Sequence, residues 1–267
     1  MNTRSHLLES SVTERTTAFS VVGETALVTA ATRGIGRACA AALAKAGAQV
    51  AIGCRDLAAG EALACELRAE GGRAMAVRMD MTSLAEITSA IGAVEEQLGP
   101  LSILVNNAGH SRPAPALEVE ATDFDAMFEL NVKAAFFAAQ AAARRMKERG
   151  SGAIVNIASQ AGLVALPGES VYCMSKAAMI HMTRCLAVEW APHGIRVNAV
   201  APTFIRTDGT QRWLGDAAFL QSLLSRIPLG RVGEPEHVAE PVVFLASPAA
   251  AMITGATLTI DGGWTAV

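Results

Sequence analysis

The stretch TALVTAATRGIGRACAAALAKAGAQVAIG, residues 25–53, decides the fold. It opens on an apolar strand, TALVT, and turns through Thr29-Ala30-Ala31-Thr32-Arg33-Gly34-Ile35-Gly36. A helix over 34–46 follows, with Gly47 placed just after its end, and a second strand, AQVAIG, closes the unit. Strand, crossover helix and strand build a parallel sheet, because parallel neighbours cannot be joined by a tight turn. Glycines at the turn let backbone approach a phosphate group, and the helix start offers free N–H groups and the positive end of its dipole. A glycine-rich turn alone is weak; its position after the first strand of such a unit gives it weight.

The same alternation continues outward. Asp56 caps a helix that Gly71-Gly72 stop, and a strand is expected over 73–79. A helix over 83–98, closed by Gly99-Pro100, leads to a strand over 101–105. A long helix over 122–147, a strand over 153–157, a helix over 170–190 and a strand over 194–200 come next. A loop region runs to about residue 228, then a helix over 235–246 and a last strand over 257–260. Strands apolar on both faces, each returned by a helix, imply one doubly wound α/β domain. Its parallel sheet has about seven strands with helices on both faces, and ligands belong beyond the carboxyl ends of the strands. No break in composition divides residues 23–267. Residues 1–22 read as a flexible tail: the first twenty are rich in Ser, Thr, Arg and Glu and hold no apolar signal-peptide core.

Composition narrows the function classes. The chain has 267 residues and is 51% hydrophobic and 18% charged, enough apolar material for a large core and unlike a disordered chain. The net charge of −3 gives no field to draw it onto nucleic acid or an anionic membrane. The basic cluster Arg144, Arg145, Lys147 and Arg149 falls at an expected helix end, where cations complement the dipole. No run reaches the ~18 apolar residues of a membrane span. Five cysteines, an odd number with no C-x-x-C pair, argue against a disulfide framework and fit a reducing cytoplasm. Neither the cysteines nor the five histidines have metal-ligand spacing.

The end of the second strand selects between the two nicotinamide cofactors. An acid there accepts from a ribose 2′-hydroxyl and repels a 2′-phosphate. Asp56 falls in that window but equally fits as the cap of the next helix. Arg55 at the strand tip offers a fork that matches phosphate, and Arg33 adds a second cation in the glycine turn, so NADP is favoured over NAD. The bland alternative is two solvated arginines.

Tyr172, the single tyrosine, and Lys176 are four apart on an expected helix and share a face. Reducing a carbonyl requires a proton at oxygen as hydride reaches carbon. A phenol beside an ammonium at ~4 Å, with an effective dielectric of ~20, gains on the order of 4 kcal/mol for its ionised form, or roughly 3 pKa units before desolvation. Ser159, at the end of the fifth strand, offers a hydroxyl to the same oxygen. Asn131 lies inside the long helix, where an amide is a poor helix former. Alone, Asn131 also reads as a buried, satisfied amide and Tyr172 with Lys176 as an ordinary amphipathic pair.

Together these residues resemble the short-chain dehydrogenase/reductase family over residues 22–267. The matching positions are the turn Thr29…Gly34-Ile35-Gly36, Asp80, Asn106-Asn107-Ala108-Gly109, Asn131, Ser159, Tyr172-Cys173-Met174-Ser175-Lys176, Pro202…Thr207 and Asp261-Gly262-Gly263. The resemblance implies a Rossmann-type fold with Tyr172 as acid/base and Ser159 polarising the carbonyl. Lys176 would bind the nicotinamide ribose and lower the tyrosine pKa, and Asn131 would hold a water in a proton relay. By the same carry-over Asp80 and Met81 would contact adenine, Asn107 and Ala108 would line the ribose side, Gly109 beside them would also bind the cofactor, and Ile205 and Thr207 would hold the carboxamide. The Cys54-Arg55 arrangement is similar to that of NADP-using members. Two positions depart from the pattern: Ala30 and Thr203 stand where the family usually has glycine. If residue 30 needs a positive φ, alanine costs on the order of 1 kcal/mol.

Ser159-Gln160, Val171-Tyr172-Cys173, Ala201-Pro202-Thr203, Gln211-Arg212-Trp213 and Arg226-Ile227-Pro228-Leu229 are similar to the xylulose-reductase branch, which reduces ketoses and dicarbonyls. That implies Gln160 meeting a substrate hydroxyl and Trp213 closing the pocket; a surface glutamine and a lid-packing tryptophan are the alternatives. A second reading of the same chemistry is a 3-oxoacyl carrier-protein reductase with Arg144 and Arg145 docking an acidic carrier. A third, a nucleotide-sensing regulator without turnover, has no use for Tyr172 with Lys176. The family resemblance also implies a homotetramer.

Overall fold

The computed structural model describes residues 19–267. Seven parallel strands form one sheet in the order β3-β2-β1-β4-β5-β6-β7. They are β1 (Thr25–Thr29), β2 (Gln49–Cys54), β3 (Arg73–Arg78), β4 (Leu101–Asn106), β5 (Gly152–Ile157), β6 (Ile195–Pro202) and β7 (Thr257–Ile260). The helices are α1 (Gly34–Lys45), α2 (Leu57–Ala69), α3 (Leu84–Leu98), α4 (Ala121–Phe128), α5 (Ala135–Arg149), α6 (Ser170–Trp190), α7 (Gln211–Leu214), α8 (Ala217–Leu224) and α9 (Pro235–Ala246).

The apolar strands are buried on both faces because successive side chains alternate. Ala26 and Val28 of β1, Val50 and Ile52 of β2 and Ile103 and Val105 of β4 face the layer that includes Leu43, Leu63 and Val242 of α1, α2 and α9. Leu27, Ala51 and Leu104 face the opposite layer with Ile91, Ala138 and Leu186 of α3, α5 and α6. The strand order reverses between β1 and β4, so the crevice for a ligand opens at the carboxyl ends of those two strands.

Three expectations change. The long helix over 122–147 is interrupted by a π-helical turn, Glu129–Ala134, which carries Asn131; such turns widen the helix locally and recur at functional sites. The loop region to residue 228 contains α7 and α8, and Asp216 caps α8 by accepting from Ala218 and Phe219 N–H groups at 2.9 and 3.1 Å. The expected tail over 1–22 lies, for residues 1–18, outside the described residues. By Val21 the chain is already in the core, with its N–H donating to the Ala46 carbonyl at 3.0 Å.

The basic cluster sits at the end of α5. Arg149 donates to the Pro100 and Leu101 carbonyls at 3.0 and 2.9 Å, and Arg145 lies 3.4 Å from Glu95. Among the described residues no helix is long and apolar enough to cross a membrane.

Candidate active site

At the carboxyl end of β1, the Thr29 hydroxyl accepts from the backbone N–H groups of Asn107 and Ala108 at 2.9 and 3.0 Å. The Asn107 amide in turn donates to the Thr29 and Ala30 carbonyls at 3.0 and 3.2 Å. Thr29 and Asn107 thus bolt the β1 turn to the loop after β4. Gly36 is required by that closeness: a Cβ there would lie 2.5 Å from Asn107 Nδ2 and 2.7 Å from the Ala30 oxygen. Ala30 has φ 51°, the one positive φ outside glycine among the described residues. The departure from glycine at this position therefore carries the left-handed strain expected, about 1–2 kcal/mol.

Arg33 precedes α1, and no side chain caps that helix or places an acid in its first turn. The start of α1 keeps its donors and positive dipole end for an anion. A cavity of about 480 Å³ runs from there to the middle of the molecule, lined by Arg33, Gly34 and Ile35 at one end and Ser159, Tyr172 and Lys176 at the other. Thr207 stands over the helix start, where a Cβ on Gly34 would meet its methyl at 3.3 Å. An uncapped helix start, a glycine turn and an adjoining cavity fit the pyrophosphate and nicotinamide of a dinucleotide.

Among the residues expected at the cofactor, Arg33, Gly34, Ile35, Asn107, Gly109, Ile205 and Thr207 line this cavity. Thr29, Gly36 and Ala108 support its wall from behind. Arg55, Asp80 and Met81 stand apart from it, around the tips of β2 and β3. Asp56 is the cap of α2, accepting from the Ala59 N–H at 3.1 Å, so its carboxylate is occupied. Asp80 accepts from the Thr82 N–H and hydroxyl at 3.0 and 2.8 Å; these bonds, with Arg55 and Arg78 nearby, hold it below the usual carboxylate range. Arg78, absent from the sequence reading, pairs in register with Cys54 and donates to the Arg55 carbonyl at 3.1 Å. The tip of β2 is flanked by Arg55 and by Arg78, which pairs with Glu86 at 3.3 Å.

Ser159, Tyr172 and Lys176 meet where β5 gives way to α6. Burial pushes the Tyr172 phenol up to about 12, while a hydrogen bond with Ser159 works the other way. Lys176 Nζ lies 5.7 Å from the phenol ring centre and donates to the Ile157 carbonyl at 2.8 Å; burial lowers its pKa to about 8. The expectation that Lys176 lowers the phenol is not met in this structure. One of the three ammonium protons is engaged by that carbonyl, and burial is the largest influence on the phenol.

Asn131 is fully buried, and both ends of its side-chain amide are hydrogen-bonded. Its Oδ1 accepts from the His110 N–H at 2.9 Å, and its Nδ2 donates to the His110 carbonyl at 2.9 Å and to Ser175 Oγ at 3.0 Å. Ser175 passes the link on by donating to the Tyr172 carbonyl at 2.8 Å. A Cβ on Gly109 would sit 3.1 Å from Asn131 Oδ1 and 3.3 Å from Lys176 Nζ, so the bare glycine leaves a gap between those two polar atoms.

At the far end, Gln160 and Trp213 line the cavity together with His110, Glu169, Thr203 and Arg212. Gln160 is 1% exposed, so the surface alternative for it falls. Trp213 lies under the Arg212 guanidinium, 3.9 Å from ring centre. Gln160 Oε1, Thr203 Oγ1 and His110 Nε2 are buried without a hydrogen-bond partner. Buried polar atoms are nearly always paired, so three orphans among the residues that line this cavity single it out as a polar site. The sequence reading passed over His110 and Glu169; Glu169 stands one helical turn before Tyr172, a spacing that pointed to the same face.

The family profile described as Enoyl-(Acyl carrier protein) reductase matches residues 29–265. The chain is 42% identical over 248 residues to a D-threitol dehydrogenase of Mycolicibacterium smegmatis, covering 92% of this chain and 95% of that one. It is 39% identical over 246 residues to a 3-oxoacyl-[acyl-carrier-protein] reductase of Synechocystis sp., covering 91% and 98%. A crystal structure of a gluconate 5-dehydrogenase from Burkholderia cenocepacia J2315, in complex with NADP and tartrate, superposes with a TM-score of 0.91 at 37% identity, covering 94% of this chain and 99% of that one. The chain belongs to the short-chain dehydrogenase/reductase family. It is an oxidoreductase of α/β fold, as the strand–helix alternation and the tyrosine–lysine pair imply.

Proposed function

We propose that the protein interconverts a secondary alcohol and a carbonyl on a polyol, a sugar or a small dicarbonyl, with NADP(H) as the coenzyme. The carrying observation is the single cavity that joins the uncapped start of α1 to Ser159, Tyr172 and Lys176 and ends at unpaired polar atoms. NADP rather than NAD follows from Arg33 and Arg55 with the acid of the β2 tip used as a cap, and the gluconate dehydrogenase that superposes on this chain holds NADP.

The bound nicotinamide supplies or accepts the hydride. Arg33, Gly34, Ile35 and Gly36 form the cradle for the pyrophosphate, with Thr29 holding the turn in shape. Asn107, Ala108 and Gly109 lie on the ribose side, and Ile205 and Thr207 wall the nicotinamide. Asp80 and Met81 are assigned to the adenine end with Arg55. Ser159 Oγ holds the substrate oxygen. Tyr172 Oη gives that oxygen its proton during reduction and takes it back during oxidation; a phenol pushed up to about 12 is protonated and ready as the acid at neutral pH. Lys176 donates to the ribose and, through the gap at Gly109, to a water that Asn131 positions, which refills the phenol. Gln160 Oε1 accepts from a substrate hydroxyl and Trp213 covers the pocket.

The carrier-protein reductase reading shares this chemistry, but a pocket ending in Gln160, Thr203, His110 and Glu169 suits hydroxyls better than an acyl chain. Residues 23–267 serve as one catalytic domain. A homotetramer is supported by the apolar groove of Phe128, Val132, Phe136, Phe137 and Met182, and by exposed Val188 and Leu258 near the sheet edge. Five unpaired cysteines support a cytoplasmic location. The test is turnover with NADPH or NADP on a panel of ketoses, diketones, polyols and acetoacetyl thioesters. Turnover confined to the thioesters would contradict the polyol reading.

A further inference from the structure

Glu169 brings a carboxylate into the substrate end of the cavity, and the reaction gives it no task. It stands just before α6, three residues ahead of Tyr172, and acts on the phenol's titration. The Ser111 hydroxyl donates to its Oε2, which fixes the carboxylate from the loop after β4. The cation near it, Arg212, is stacked on Trp213, and its charge works against the rise that burial gives the Glu169 carboxyl. Around them Gln160 Oε1 and His110 Nε2 are unpaired. The Glu169 carboxylate and the Gln160 side-chain carbonyl are therefore acceptors at this end of the cavity, one of them ionic. Hydroxyl donors satisfy such acceptors, and an incoming carboxylate meets the like charge of Glu169.

We propose that Glu169 sets the charge selectivity of the pocket, accepting hydroxyls of an uncharged polyhydroxy substrate and excluding sugar acids. The inference rests on the polyol reading and sharpens it, since relatives with the same fold are named for both a neutral polyol and an aldonate. Burial already pushes the Glu169 carboxyl above its ordinary range, so a second anion beside it is costly.

The experiment compares kcat/KM with NADP for threitol, galactitol and gluconate, with acetoacetyl thioester and NADPH as a fourth arm. Wild type, Glu169→Gln and Glu169→Asp are measured, and NADPH binding by fluorescence checks each fold. Wild type is expected to prefer the neutral polyols, and Glu169→Gln to shrink the polyol-to-gluconate ratio about tenfold or more, while Glu169→Asp keeps it. If Glu169→Gln does not bind NADPH, Glu169→Ser is read the same way. An unchanged ratio in the neutral variant, or a wild type that prefers gluconate, overturns the role of Glu169 alone. A wild type that turns over neither polyol nor gluconate but reduces the thioester overturns the polyol reading and this inference with it.

Discussion

The two ends of the cavity are built differently. The cofactor end is made of backbone and glycines from short contiguous stretches: the β1 turn, the start of α1 and the loop after β4. The substrate end is made of side chains from four distant segments: His110 and Ser111, Gln160, Glu169, and Arg212 with Trp213. One end binds groups common to a whole family and is constrained by how closely backbone must approach. The other is free to change side chain by side chain, and it holds Gln160, Thr203 and His110 with buried atoms that lack partners. Tyr172 stands where they meet.

Breaking the junction has the largest expected effect. Tyr172→Phe removes the proton donor and should lower kcat for carbonyl reduction by about 10²–10⁴-fold while NADPH still binds, as read by fluorescence titration. Retained turnover would place the acid elsewhere. At the cofactor end, Arg55→Asp sets a like charge against a 2′-phosphate. It should move the ratio of kcat/KM for NADPH over NADH toward NADH by about tenfold or more. An unmoved ratio would leave the preference to Arg33. The smallest effect concerns strain in the turn. Ala30→Gly relieves a φ of 51°, and after the entropy of glycine it should raise unfolding free energy by roughly 0.5–1 kcal/mol in urea titration. A loss of stability, the usual result of Ala→Gly, would show that the turn relaxes.

The sequence made the sheet legible because strands buried on both faces are nearly all apolar and each is followed by an amphipathic helix. All seven strands lie within two residues of their expected ends. The π-turn at Asn131 was invisible because Glu129–Ala134 continues a helical pattern, and the bonds Asn131 makes there to the His110 backbone reach across the fold. Helices α7 and α8 were missed because they are short and lie in a segment punctuated by Pro, Gly and Asp. Tyr172, Lys176 and Ser159 were found by spacing, yet their electrostatics were not: proximity along a helix gave an attraction, while the fold supplies the burial, which is the largest influence on the phenol. Glu169 had one signal, its helical spacing from Tyr172, whereas its grouping with His110 and Arg212 was beyond reach because only tertiary structure brings those segments together.

The central claim is that the Tyr172 hydroxyl exchanges a proton with an oxygen held by Ser159 beside the nicotinamide. A crystal structure with NADP and a slowly oxidised polyol tests it most directly. The account predicts Tyr172 Oη and Ser159 Oγ both about 2.5–3.0 Å from one substrate oxygen. A substrate oxygen bound by neither group, with the phenol turned away from the coenzyme, would contradict it.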